Sequence, residues 1–292
     1  MLILLAMLSW LAGNGLPVDP RAARTPPANK SAVRLLALHP VEHGKRVSWN
    51  GVLTTGYYPR SKQTTSGVCI VATPAKKIRG GALTREQFLL PEMRIVASLR
   101  QQGVDDASIV DRVKSENLFQ YPTERMLSNR TGVCLKRLDA LIPDEAECTQ
   151  RGVDRQAAAQ AAQAITELIA TGTSTQAAQA NMYAMMCRYD LIDEFMKVEM
   201  GERMAGLDYT FTRVDLDAFF TRFQVEHADA AKWADSTIVR IKSTVMGCLL
   251  QVGLLAPRSE DLHPVFLDPD LQDAIEALGD AAAIQAFTGQ AM

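Results

Sequence analysis

The chain has 292 residues, 47% of them hydrophobic and 22% charged, enough apolar material for one large or two small globular domains. Its net charge of -2 hides an asymmetry. Residues 1–80 hold eleven Lys and Arg against Asp19 and Glu42, a net of +9, which leaves -11 for the remainder. So acidic a body argues against broad polyanion binding, which draws its affinity from phosphate attraction, but leaves room for a local basic patch.

Residues 2–12 form an apolar run too short to span a bilayer. It has the size of a signal-peptide core but lacks a preceding Lys or Arg. Residues 13–82 are rich in Pro, Gly, Ser, Thr and basic side chains, and "PVDPRAARTPPANKS" reads as linker. "HPVEH" matches a zinc-protease pattern at His39, Glu42 and His43, but that chemistry needs both histidines on one helix face, and Pro40 and Gly44 oppose a helix there. Residues 1–77 are therefore expected to be a disordered or loosely attached basic extension. The five cysteines (Cys69, Cys134, Cys148, Cys187, Cys248) are scattered, odd in number and without a C-x-x-C pair, which points to free thiols in a reducing cytoplasm.

The ordered body begins near Leu83. Pro91 suits a first helical turn, and Met93, Val96 and Leu99 give that helix an apolar stripe that Gly103 stops. Asp105 caps a second helix, with Val104 and Ile109 spaced as a hydrophobic staple. Thr123 caps a third, whose buried face is Leu127, Thr131, Cys134, Leu138 and Leu141. "RQAAAQAAQAITELIA" is an Ala/Gln helix able to pack closely. Two helices broken near Asp190 follow, with Met182, Met185, Met186, Met196 and Met200 as core filling. Residues 215–226 form a helix with Leu216, Phe219, Phe220 and Phe223 inward. Asp235 or Ser236 caps a long helix ended by Gly253, and its inner stripe is Ile238, Ile241, Val245, Leu249 and Val252. "HPVFLDPDLQDAIEALGD" offers an extended piece and one last helix. The fold class expected is all-α, in two units, 78–150 and 151–292.

One plan occurs twice: a short amphipathic helix, a bend, then a longer helix with polar residues near its exposed start. That is the outline of a helix-turn-helix, whose second helix presents side chains to the DNA major groove. The first unit pairs 106–116 with 124–141. Arg125, Asn129 and Lys136 fall close to one line of the longer helix, and Gly132 leaves a bare place on it. Arg can bond a guanine edge in two places and Asn an adenine edge, while Arg130 and Arg137 at the flanks could hold phosphates. The second unit pairs 215–226 with 236–252, where Thr237, Arg240 and Thr244 share a face with Lys242 and Ser243 nearby. Solvated polar faces on helix pairs have the same appearance, so the alternative is a protein-interaction adaptor. His227 and His263 stand isolated. No phosphate-loop, dinucleotide or nucleophile-elbow motif is present in the sequence, and neither a catalytic set nor a cofactor is expected.

"FLLPEMRIVASL", "SENLFQYPTER", "LKRLDAL", "GERMAGLDYTFTRVDLDAFF" and "WADSTIVRIKSTVMGCLLQVGLL", in that order, resemble the BrxA family of BREX phage-defence systems over about residues 78–280. The resemblance implies a small all-helical protein compared in that family with the RNA-binding factor NusB. It also implies a place beside a DNA methyltransferase and an ATPase. No segment of the body could cross a membrane, so no membrane partner is expected. DNA binding is the activity it carries, onto Arg125, Asn129, Arg130, Lys136 and Arg137, and onto Thr237, Arg240 and Lys242. Double-stranded DNA is expected rather than RNA, because the RNA major groove is too narrow for a helix.

Overall fold

In the computed structural model of the chain, residues 78–290 are described, and all of them fall within one unit. The expected extension, with Cys69 and the His39–Glu42–His43 pattern, lies outside the described residues. Helices dominate. Among the described residues β-structure is confined to two isolated bridges, Thr210 with Asp261 and Leu255 with Leu262.

A short 3-10 turn, Gly81–Thr84, and a connecting strap, residues 85–89, lead into α1 (Leu90–Gln101). Pro91 sits in the first turn of α1, where a missing N–H costs nothing. Gly103, at φ 78°, ends it in the left-handed conformation that favours glycine. In α2 (Asp106–Ser115) the Asp105 carboxylate accepts the Ser108 N–H at 3.0 Å. In α3 (Glu124–Asp139) the Thr123 hydroxyl accepts the Met126 N–H at 3.3 Å. α1, α2 and α3 pack against one another, and the five residues of the expected α3 stripe are all buried.

α4 (Glu145–Arg151) leads through Asp154, which caps on two N–H groups, into α5 (Arg155–Thr171). α5 buries Ala158, Ala161, Ala162 and Ala170, and such small side chains let α1 on one side and the later helix Pro269–Ala277 on another approach closely. At the centre lies α6 (Ser174–Arg188), with every residue from Ala177 to Met186 buried. A helix covered on all sides must be ringed by others. Here the ring is α1, α3, α5, α7 (Asp190–Glu194) and the later helix Asp235–Val252. The chain does break near Asp190, and the five methionines are core filling, all buried.

A six-residue π turn, Phe195–Met200, joins α7 to α8 (Gly201–Ala205). Its Lys197 binds Asp193 at 2.7 Å and Asp280 at 3.0 Å. Burial opposes the ammonium charge, but the two carboxylates outweigh it and raise the Lys197 pKa. α9 (Arg213–Glu226) starts from a capping box between Thr212 and Asp215 and buries the four expected apolar residues.

α10 (Asp235–Val252) begins at Ala234 with no side-chain cap, so neither Asp235 nor Ser236 caps it; both already lie in its first turn. Its inner stripe and its Gly253 stop are as expected. The C-terminal part holds two helices where one was expected. α11 (Pro269–Ala277) ends at a left-handed Gly279, and Asp280 immediately caps α12 (Ala281–Thr288).

Candidate nucleic-acid interface

On α3 the helical arithmetic separates two groups of polar side chains. Arg125, Asn129 and Lys136 are exposed. A Cβ built on Gly132 meets nothing within 4 Å, so the bare place on their line is open. No carboxylate occurs between Glu124 and Asp139.

Arg130 and Arg137 sit one heptad apart on a different side, at the edge of the apolar face, and both turn toward the strap. Arg130 is half-buried and donates through Nη1 to the Arg85 carbonyl. Arg137 is wholly buried, which overturns the expectation that it waits at the helix flank for a phosphate. Its Nη1 donates to the Phe88 carbonyl at 2.8 Å, its Nη2 to the carbonyls of Glu86 and Gln87, and its Nε to the Tyr189 hydroxyl at 3.3 Å. The guanidinium carbon also lies 5.4 Å from the centre of the Tyr189 ring, a cation–π contact.

A guanidinium has five N–H donors in a fixed fork, and here carbonyl dipoles and an aromatic face replace the lost water. Tyr189 in turn donates to Glu86 at 2.5 Å, and burial, ahead of its charged neighbours, pushes its pKa up to about 12. Asn181 Nδ2 adds a second bond to the Phe88 carbonyl at 2.8 Å. Four consecutive strap carbonyls, residues 85–88, are thus held by side chains of α3 and α6.

α10 packs on the 3-10 turn just before the strap, where the Thr244 hydroxyl lies 3.4 Å from the Leu83 carbonyl and 3.1 Å from the Arg240 carbonyl of its own helix. The attachment points of α3 and α10 are therefore two residues apart, at most about 7 Å along the chain. Arg240 is exposed on α10. Thr237 is half-buried near its start. Lys242 does not join them. Its Nζ binds Asp217 of α9 at 2.7 Å and sits 5.2 Å from the centre of the Phe220 ring. Of the expected grouping of Thr237, Arg240 and Lys242, Lys242 is drawn away to α9, while Arg240 stays exposed and unpaired.

Several cations on other elements are neutralised. Arg79 binds Asp190, Arg100 binds Asp106 and Asp139, Arg112 binds Glu116, Arg203 binds Glu199, Asp208 and Asp215, and Arg222 binds Glu199. Among the described residues Arg85, Arg125, Arg130, Lys136 and Arg240 have no carboxylate in ion-pair reach. Arg94, Arg151, Arg155, Arg188, Arg213 and Arg258 likewise have no carboxylate in ion-pair reach, and Arg94 and Arg151 donate to the carbonyls of Gly172 and Leu278.

His227, read from sequence as isolated, ends α9 with its Nε2 2.8 Å from Glu194. Glu226 completes a cluster whose ligand atoms lie within 4.8 Å of one another. The hydrogen bond to Glu194 accounts for it as an internal polar contact between α9 and α7. Cys134 and Cys248 are buried, and burial pushes both thiols up to about 12, far from the range of reactive cysteines. No helix among the described residues is long and apolar enough to cross a membrane.

A sequence model of the BrxA family matches residues 81–279. The "BREX protein BrxA" of Bacillus cereus (strain H3081.97) is 24% identical over 209 residues, covering 70% of this chain and 92% of that protein. A crystal structure of an uncharacterized protein from Magnetospirillum magneticum superposes with a TM-score of 0.55 at 16% identity, over 72% of this chain and 98% of the other. That likeness speaks to the fold alone.

Proposed function

The chain belongs to the BrxA family, and from that premise we propose that it serves a BREX phage-defence system as a DNA-binding component that acts without catalysis. The observation that carries the reading is the set of unneutralised cations on α3, the strap and α10 of an otherwise acidic body. Unpaired guanidinium and ammonium groups along α3 are suited to phosphates. Exposed Arg125 and Asn129 near the start of α3 are suited to base edges in a major groove, and the open place at Gly132 lets a backbone come close. Other BREX proteins are the natural partners of such a component.

A labelled duplex titrated with the full chain at several salt concentrations tests the reading. Affinity should fall as salt rises. Replacing Arg125, Asn129 and Lys136 together by Ala should weaken binding and flatten the slope by about one for each phosphate-contacting cation removed. Wild-type affinity and slope in that variant would reject the α3 assignment.

A second reading, an adaptor that assembles the defence complex without touching nucleic acid, draws on exposed apolar side chains. Phe266 is 93% exposed, and Val214 and Val225 on the outer side of α9 are 74% and 82% exposed. Capture of BREX proteins by a chain that binds no duplex would favour it.

A further inference from the structure

Between the strap and α10 runs a groove of about 590 Å³ that the reading of α3 does not use. One wall is Thr84, Gln87, Phe88 and Leu89, and the other is the outer side of α10, with Arg240, Ser243, Thr244 and Gln251 as its polar residues. No carboxylate lines it. Two other surface grooves are different: one carries Glu167, and another carries Glu167, Asp270 and Asp273. Arg240 has no ion-pair partner among the described residues. Gly247 lies on the same wall, and a Cβ built there meets nothing within 4 Å. The opposite wall is fixed in place by Arg137 and Asn181 through the strap carbonyls.

We propose that this groove seats a backbone phosphodiester of the bound nucleic acid, with Arg240 as its charged contact, Ser243, Gln87 and Gln251 as neutral donors, and Arg137 as a positioning residue that holds the strap wall. This rests on the DNA-binding reading of α3 and extends the contact surface from α3, across the strap, to α10. The residue set is that of a phosphate contact: one guanidinium with hydroxyl and amide donors, and no acceptor charge to repel the anion. A neutral partner peptide would leave Arg240 without a counter-charge, and a nucleic-acid strand supplies one.

The test measures duplex affinity and its salt dependence for the full-length chain and two variants. Gly247→Leu fills the groove at an open helical position, where leucine favours the helix over glycine, so thermal stability should hold or rise. Arg240→Ala removes the charge. Gly247→Leu should lower affinity roughly tenfold, the size of one lost charge-assisted contact. Arg240→Ala should do the same and reduce the salt slope by about one. Arg137→Met should weaken binding without changing the slope that Arg240 contributes, because it acts on the wall and not on the anion.

If the wild-type chain binds duplex while Gly247→Leu and Arg240→Ala match it, the groove proposal is overturned and the α3 reading stands. If the wild-type chain binds no duplex, the α3 reading falls and the groove proposal with it. If inorganic phosphate raises the melting temperature of the wild type but not of Arg240→Ala, and both bind duplex equally, the groove belongs to free phosphate and the proposal is again overturned.

Discussion

Replacing Arg137 by methionine keeps most of the side-chain volume and removes every donor. In the folded chain the Glu86 and Gln87 carbonyls then lose their guanidinium partner, whereas the Phe88 carbonyl keeps Asn181. A stranded buried acceptor costs about 1–3 kcal/mol. Glu86 is half-buried and Gln87 exposed, so water can reach both carbonyls and reduce that figure. The bond to the Tyr189 hydroxyl and the contact with its ring are lost as well. The expected net loss is about 2–4 kcal/mol, in the range of a broken buried polar network. Arg130→Ala should cost less than about 1 kcal/mol, since its single carbonyl bond lies at the exposed Arg85. Urea unfolding followed by far-ultraviolet circular dichroism measures both. A loss below about 1 kcal/mol for Arg137→Met, or equal losses for the two variants, would refute the view that Arg137 is the strap's anchor.

Thr212→Ala should destabilise the chain by about 1 kcal/mol through the broken capping box of α9. The Thr212 hydroxyl and N–H hold the Asp215 pKa below its usual value, so the unfolded chain takes up this proton more readily than the folded one. The contribution is complete above the unfolded pKa of about 3.9 and is lost as pH falls through the lower folded value. Asp215→Asn should therefore flatten the acid limb of the stability profile. Cys134 and Cys248 should resist a thiol reagent in the native chain and react only on unfolding. Rapid labelling of either in native buffer would contradict their burial.

The helical elements and most of their ends were legible because the signals are local. Asp105 and Thr123 cap, Pro91 starts, Gly103 and Gly253 stop, and each acts on N–H or C=O groups within a few residues. The apolar stripes of α3, α9 and α10 were legible for the same reason: the helical period fixes which side chains share one side of one helix. Arg125, Asn129 and Lys136 came out as an exposed line from that period alone.

What the period cannot say is which segment covers a helix's other sides. Arg137 differs from an exposed arginine only because residues 86–88, about fifty positions earlier, lie against it. Lys242 finds Asp217 and His227 finds Glu194 across separations of 25 and 33 residues. Helix identity is written in neighbours along the chain, whereas the desolvation of a charge, and so its use as structure or as surface, is settled by elements that meet only when the chain folds.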